Sequence, residues 1–196
     1  MPLPHKREKD LGPADAVIVV DVQNDFCPGG ALPVARGDQV VPILNQWTTA
    51  AEGAGAAVVA SRDWHPADHC SFQERGGPWP SHCVQGTGGA DFHPDLKLPP
   101  RARIVSKATA ADREAYSAFD GTGLADELKR AGISRVWIGG LALDYCVRAT
   151  ALDAVAAGFE THLIAAATRA VNARPGDDER TLHELAAAGC VIENEQ

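Results

Sequence analysis

Apolar residues in this chain fall into short unbroken runs, separated by longer stretches with helical spacing. Ala16-Val-Ile-Val-Val-Asp-Val22 is apolar but for one aspartate, as in a strand covered on both faces. Similar runs over 56–60, 103–106, 135–138, 162–165 and 190–192 predict five more strands. Helices are predicted over 38–53, 123–131, 145–157 and 177–188. Val41, Ile43, Leu44 and Trp47 are available for one face of the first, and Pro42 falls in its opening turn, where no amide is needed. Gly132, Gly158 and Gly189 stand where the other three helices stop. Strands alternating with helices predict an α/β fold: three-layer, Rossmann-like, with a six-stranded parallel sheet and helices on both faces. The 196 residues read as a single domain, with 1–14 expected to be flexible.

One connection breaks the alternation. Residues 63–100 are rich in Pro and Gly and lack periodicity, and a connection this long inside a compact domain usually carries function. Asp63, His65, His69 and His82 all lie in it. Asp63 and His65 are two apart, so in extended chain they point to one side. Together with His82 they make a facial set for one divalent metal ion. His69 is either a fourth ligand or a residue that orients substrate or bound water. Any one of these histidines alone would read as an ordinary core or surface residue; the cluster beside a carboxylate favours a metal. Such a set suits zinc, manganese or iron, and its spacing does not choose among them; zinc is the expectation carried forward. A structural site from His69, Cys70, His82 and Cys83 ranks low, since it pairs adjacent residues and leaves Asp63 and His65 idle.

Ligands in open α/β sheets bind beyond the carboxyl ends of the strands. Asp21, Asp63, Lys107 and Cys146 each follow or end a predicted strand and should meet there. Cys146 falls in the first turn of a predicted helix, where the dipole and free amides favour a thiolate and can bind an oxyanion. Asp21 in an apolar strand needs a partner, and Lys107 is a suitable one. The trio Asp21, Lys107 and Cys146 therefore reads as proton acceptor, its holder and a nucleophile, against a plainer alternative of a buried ion pair and a structural thiol. Phe26, Trp79 and Tyr116 flank these segments and could wall a flat ring. Gly86-Thr-Gly-Gly89 and Gly121-Thr-Gly123 do not follow strands in the manner of phosphate loops and are set aside.

Composition narrows the class. A net charge of -8 argues against nucleic acid or an anionic membrane as partner. No apolar stretch is long enough to span a bilayer, and the charged first ten residues lack a signal-like apolar core, so a cytoplasmic location is expected. An odd number of cysteines, Cys27, Cys70, Cys83, Cys146 and Cys190, argues against a disulfide framework; all but Cys146 read as small buried residues.

Val20-Asp-Val-Gln-Asn-Asp-Phe-Cys-Pro-Gly-Gly30, Ser61-Arg-Asp-Trp-His65, Gly76-Gly-Pro-Trp-Pro-Ser-His-Cys-Val84, Lys107 with Glu114-Ala-Tyr-Ser-Ala-Phe119, and Asp144-Tyr-Cys-Val-Arg-Ala-Thr-Ala-Leu152 occur in order. These motifs resemble the nicotinamidase/pyrazinamidase branch of the isochorismatase-like cysteine hydrolases. The resemblance implies an Asp21–Lys107–Cys146 triad and metal ligands at Asp63, His65 and His82, with His69 matching a position that ligates in some members. It also implies a cis peptide before Ala142, an oxyanion hole from the amides of Ala142 and Cys146, and ring contacts from Phe26, Trp79 and Tyr116. Leu141-Ala142-Leu143 and Tyr145 depart from the usual pattern and border the pocket. The implied reaction converts nicotinamide to nicotinate and ammonia through a thioester, in NAD salvage; pyrazinamide is a second implied substrate. Alternatives are another cysteine amidohydrolase, acting on ureido, carbamoyl or maleamate-type amides, and a non-catalytic metal-binding module. A homo-oligomer is compatible with the sequence.

Overall fold

A computed structural model describes residues 11–193. Six strands make one sheet: β1 (Asp15–Val20), β2 (Ala57–Asp63), β3 (Arg103–Lys107), β4 (Arg135–Leu141), β5 (Glu160–Arg169) and β6 (Val191–Glu193). Their order is β3-β2-β1-β4-β5-β6, and every pairing is parallel. Four helices cover it: α1 (Val40–Ala54), α2 (Leu124–Arg130), α3 (Arg148–Ala156) and α4 (Asp177–Ala187). The expected three-layer α/β architecture is the one observed.

Strand alternation divides the core in two. Val17 and Val19 of β1 point to one face and pack with Leu44 and Trp47 of α1. Ala16, Ile18 and Val20 point to the other, with Leu124 and Leu128 of α2, Ala151 and Ala154 of α3 and Leu185 of α4. Both layers exclude water, and each fully buried aliphatic side chain contributes ~1.5–3 kcal/mol. The seam between β1 and β4 is tight. Gly140 has φ +131°, and a Cβ there would lie 2.0 Å from the Val20 carbonyl oxygen. The chain reverses its winding at this seam, which leaves a crevice at the carboxyl ends of the strands.

Several boundaries differ from expectation. β2 runs to Asp63, β3 to Lys107, β4 to Leu141 and β5 to Arg169. In each case hydrogen bonding carries the strand past its apolar run into polar or small residues. Of the segment expected to be flexible, 1–10 lie outside the described residues. Residues 11–14 form a turn, with Leu11 buried and the Gly12 amide donating to Asp15 (2.8 Å). The connection after β2 is not structureless. Short helical turns at Gln73–Arg75 and Gly88–Ala90, with bridges His65–Val84 and Phe72–Trp79, fold it back over the sheet edge. The helix expected from residue 145 begins instead as a π-turn, Leu143–Val147, before α3. The amides of Tyr145 and Val147 both donate to the Ala142 carbonyl (3.1 Å each), and this shared acceptor widens the turn. No helix among the described residues is long and apolar enough to cross a membrane.

Candidate active site

Four strand ends deliver the charged cluster. Asp21 follows β1 in the left-handed region (φ 48°), which an aspartate tolerates better than most residues. Its amide donates to the Ser61 carbonyl (3.1 Å), and its Oδ1 accepts the Ser61 hydroxyl (2.7 Å). Its Oδ2 lies 2.9 Å from Lys107 Nζ. The Lys107 ammonium also donates to Asp63 Oδ1 (2.5 Å), the Ala115 carbonyl (3.2 Å) and Cys146 Sγ (3.4 Å). Carboxylate oxygens of Asp21 and Asp63 and the Cys146 sulfur lie within 4.8 Å of one another. All four residues are buried. Lys107 therefore bridges both carboxylates, where Asp21 alone had been expected as its partner.

Burial and charge set the protonation. Burial raises the pKa of Asp21, the nearby Asp63 carboxylate adds to this, and Lys107 opposes it. Burial acts in the same direction on Asp63, but Lys107 and His65 outweigh it and hold Asp63 well below the usual carboxylate range. Burial would lower the pKa of Lys107, yet Asp21 and Asp63 raise it further, so the ammonium keeps its proton. Cys146 is pushed well above the ordinary thiol value, first by burial and then by the two carboxylates, with Lys107 opposing. The resting sulfur is therefore a thiol, whereas the helix-start position suggested a thiolate. Burial, reinforced by two carboxylates, outweighs one ammonium and a turn that is not yet α-helical.

Beside this cluster, Asp63 Oδ2 lies 3.5 Å from His65 Nε2 and 4.0 Å from His82 Nε2. His65 Nδ1 faces the Ala108 carbonyl (3.2 Å) and His82 Nδ1 faces the Pro80 carbonyl (2.7 Å). A carbonyl can only accept, so each Nδ1 is the protonated nitrogen in the neutral ring and each Nε2 offers a lone pair to the shared space. The buried His65 Nε2 makes no hydrogen bond. Burial also lowers the pKa of His82, which favours the neutral, ligating form. One carboxylate oxygen and two aimed imidazole nitrogens, one of them unsatisfied, fit a divalent metal ion. His69 is arranged differently. Its Nδ1 accepts from Ser71, whose amide is 3.3 Å and hydroxyl 2.7 Å away, so Nε2 is left to donate to the Arg113 carbonyl (3.0 Å). The ring stacks on His65 at 4.2 Å between centroids.

A pocket opens over both clusters. Asp63, His82, Cys146, Phe26, Trp79, Tyr116, Ala142 and Tyr145 all line it, as do Leu32, Val34, Glu114 and Val171. Trp79 Nε1 donates to the Tyr116 hydroxyl (3.1 Å), and Tyr145 meets Trp79 edge-on at 5.1 Å. These contacts leave a mostly apolar slot of aromatic walls. A cis peptide joins Leu141 to Ala142, as the resemblance implied. Gln23 braces the strand end that carries Asp63, a contact to which the sequence analysis gave no role. Its Oε1 accepts the Asp63 amide (2.8 Å), while its Nε2 donates to the carbonyls of Asp63 and Ala90 (2.8 Å each). The sequence offered only its position two residues beyond Asp21; its full burial, which demands such partners, is seen in the structure.

Residues 15–196 match the isochorismatase domain. The chain belongs to the isochorismatase family. Within this family, it is 38% identical to the nicotinamidase of Escherichia coli, over 92% of this chain and 94% of that protein. Among solved structures, the pyrazinamidase of Pyrococcus horikoshii in complex with zinc superposes with a TM-score of 0.89 at 52% identity, covering 93% of this chain and 100% of that one. PnC1 from L. infantum in complex with nicotinate gives a TM-score of 0.83 at 37% identity, covering 93% of this chain and 94% of that one.

Proposed function

We propose that this isochorismatase-family chain is a nicotinamidase, which hydrolyses nicotinamide to nicotinate and ammonia in NAD salvage and also accepts pyrazinamide. One observation carries the reading: Cys146 Sγ lies 3.4 Å from Lys107 Nζ and within 4.8 Å of Asp21, at the base of an aromatic slot. The nicotinamidase and nicotinate-bound relatives support the same substrate class.

In this mechanism Asp21 accepts the Cys146 proton as sulfur attacks the carboxamide carbon. The raised pKa of Asp21 makes it a stronger base than an exposed carboxylate, closer to what the buried thiol requires. Lys107 holds Asp21 in place and offsets the negative charge passing between Asp21 and sulfur. The oxyanion is received by the amides of Ala142 and Cys146, a contribution of order 3–4 kcal/mol per donor in comparable sites. Asp21 then returns the proton to the departing amine, and ammonia leaves a thioester on Cys146. A water attacks the thioester, Asp21 takes its proton, and nicotinate leaves as the thiol is restored. Amide plus water gives acid plus ammonia, so the enzyme emerges unchanged.

Asp63, His65 and His82 would hold one divalent ion, with zinc the leading candidate from the donor set and from the zinc-bound relative. When bound, that ion would supply a Lewis-acidic position suited to the pyridine nitrogen of the substrate. Phe26, Trp79, Tyr116 and Tyr145 sandwich the ring. The absence of a basic run and of any membrane-crossing helix among the described residues is consistent with a cytoplasmic enzyme of a small-molecule substrate. The test is Cys146→Ala, which should abolish ammonia release from nicotinamide while the unfolding midpoint stays near wild type. Full activity in that variant would end the mechanism.

A further inference from the structure

We propose that Asp144 is a positioning residue for the substrate ring: it latches the β5–α4 segment against the nucleophile turn and so holds Val171 in the pocket wall. The inference rests on the nicotinamidase reading and concerns the same pocket. Asp144 stands two residues before Cys146, inside the π-turn. Its Oδ1 accepts the Val171 amide and its Oδ2 the Asn172 amide, both at 2.9 Å. Two successive amides converging on the two oxygens of one carboxylate form a charge-assisted grip, stronger than neutral turn bonds. Asn172 adopts φ 53°, so the chain turns directly after the two gripped amides. Its own Oδ1 accepts the Asp178 amide (2.9 Å) and so carries the connection into α4. Val171, the residue gripped, lines the pocket beside Ala142, Tyr145 and Cys146.

The grip reaches the wall and not the triad, since Asp144 bonds neither Asp21, Lys107 nor the sulfur in these contacts, and the turn is closed separately on the Ala142 carbonyl. Loss of the latch should therefore weaken ring binding more than it slows chemistry. Steady-state ammonia release from nicotinamide by the holoenzyme tests this with Asp144→Ala, Asp144→Asn, Val171→Ala and the Asp144→Ala/Val171→Ala double variant. Asp144→Ala should raise KM on the order of tenfold while kcat changes by less than about twofold, in line with the loss of one apolar contact in a specificity pocket. Asp144→Asn should fall between, because its amide oxygen still accepts one of the two bonds. Val171→Ala should raise KM comparably, and the double variant should be no worse than Asp144→Ala by more than about twofold, since both changes remove one wall. The proposal is overturned if either single variant, folded by its unfolding midpoint, keeps a wild-type KM. Multiplicative effects in the double variant, or a fall in kcat at constant KM, also overturn it. Val171→Ala leaves the latch in place, so it decides the matter should Asp144→Ala fail to fold. A wild-type enzyme inactive on nicotinamide instead defeats the functional reading and this inference with it.

Discussion

Replacing Lys107 by methionine keeps the length of the side chain and removes its charge, which isolates what the ammonium does. In the native site it lies 2.9 Å from Asp21 and 2.5 Å from Asp63, with no solvent exposure at its side chain. Taking away one partner of a buried ion pair costs about 3–5 kcal/mol, because the charge left behind is neither solvated nor compensated. Here two carboxylates are left, so the upper part of that range applies unless one takes up a proton. For a chain of this size each kcal/mol moves the unfolding midpoint by about 2–4 °C, so the drop should be about 6–20 °C. The pH dependence gives a sharper signature. Without the ammonium, burial and the Asp63 carboxylate raise the Asp21 pKa with less to oppose them, and the folded variant binds that proton more tightly than its unfolded chain. The deficit relative to wild type should therefore shrink as pH falls from about 7 toward 5, at higher pH than the loss of an exposed ion pair, whose deficit narrows only around and below the ordinary carboxylate pKa. A protonated Asp21 also cannot accept the thiol proton, so ammonia release should fall by about two to four orders of magnitude. Differential scanning calorimetry across pH, in chelator, with a parallel ammonia assay, reads all three quantities. A midpoint within about 2 °C of wild type, or a deficit that grows on acidification, would refute the account of Lys107 as the bridge between two buried carboxylates.

Other expectations follow from neighbouring contacts. His65→Ala and His82→Ala should lose bound metal by elemental analysis and raise KM for nicotinamide, whereas His69→Gln should retain metal, because its Nε2 is committed to the Arg113 carbonyl; loss of metal from the His69 variant would place that ring among the ligands. Asp15→Asn should destabilise by ~1–3 kcal/mol in thermal unfolding, since Asp15 accepts from Arg135, Trp137 and the Gly12 amide. Burial raises the Asp15 pKa, but these donors outweigh it and leave it depressed, so its contribution is complete above the unfolded value of 3.8 and is lost as pH falls through the folded one. A stability difference between Asp15→Asn and wild type that does not narrow in acid would count against that assignment.

The strands were legible because both faces of a parallel sheet are buried, which writes them as apolar runs. Their final residues were not, because Asp63, Lys107 and Arg169 close their strands through backbone bonds while their side chains serve other ends. Asp21, Asp63, Lys107 and Cys146 could be assigned to one sheet edge from strand ends alone. The bridging of two carboxylates by Lys107 could not, since it depends on side-chain reach from β3 past β2 to the end of β1. The π-turn depends on two amides competing for one carbonyl, at spacings that a helical pattern does not encode. Val171 joined the pocket without any local signal, as it arrives from the far side of β5 and is held there by Asp144. Leu32 and Val34 are likewise ordinary apolar residues whose role is set only by where the turn after Phe26 folds.

The seam at Gly140 has a consequence for how freely this protein can vary. The Val20 carbonyl that a Cβ at 140 would strike belongs to the residue immediately before Asp21. Every amino acid other than glycine would add that atom, and relief could come only by pushing the end of β1 away from β4. Position 140 is thus mutationally closed, and for a reason that concerns chemistry as much as folding: the displacement that would accommodate any replacement is the one that carries the base away from the sulfur. In a saturation library selected for function, the column at 140 should contain one letter.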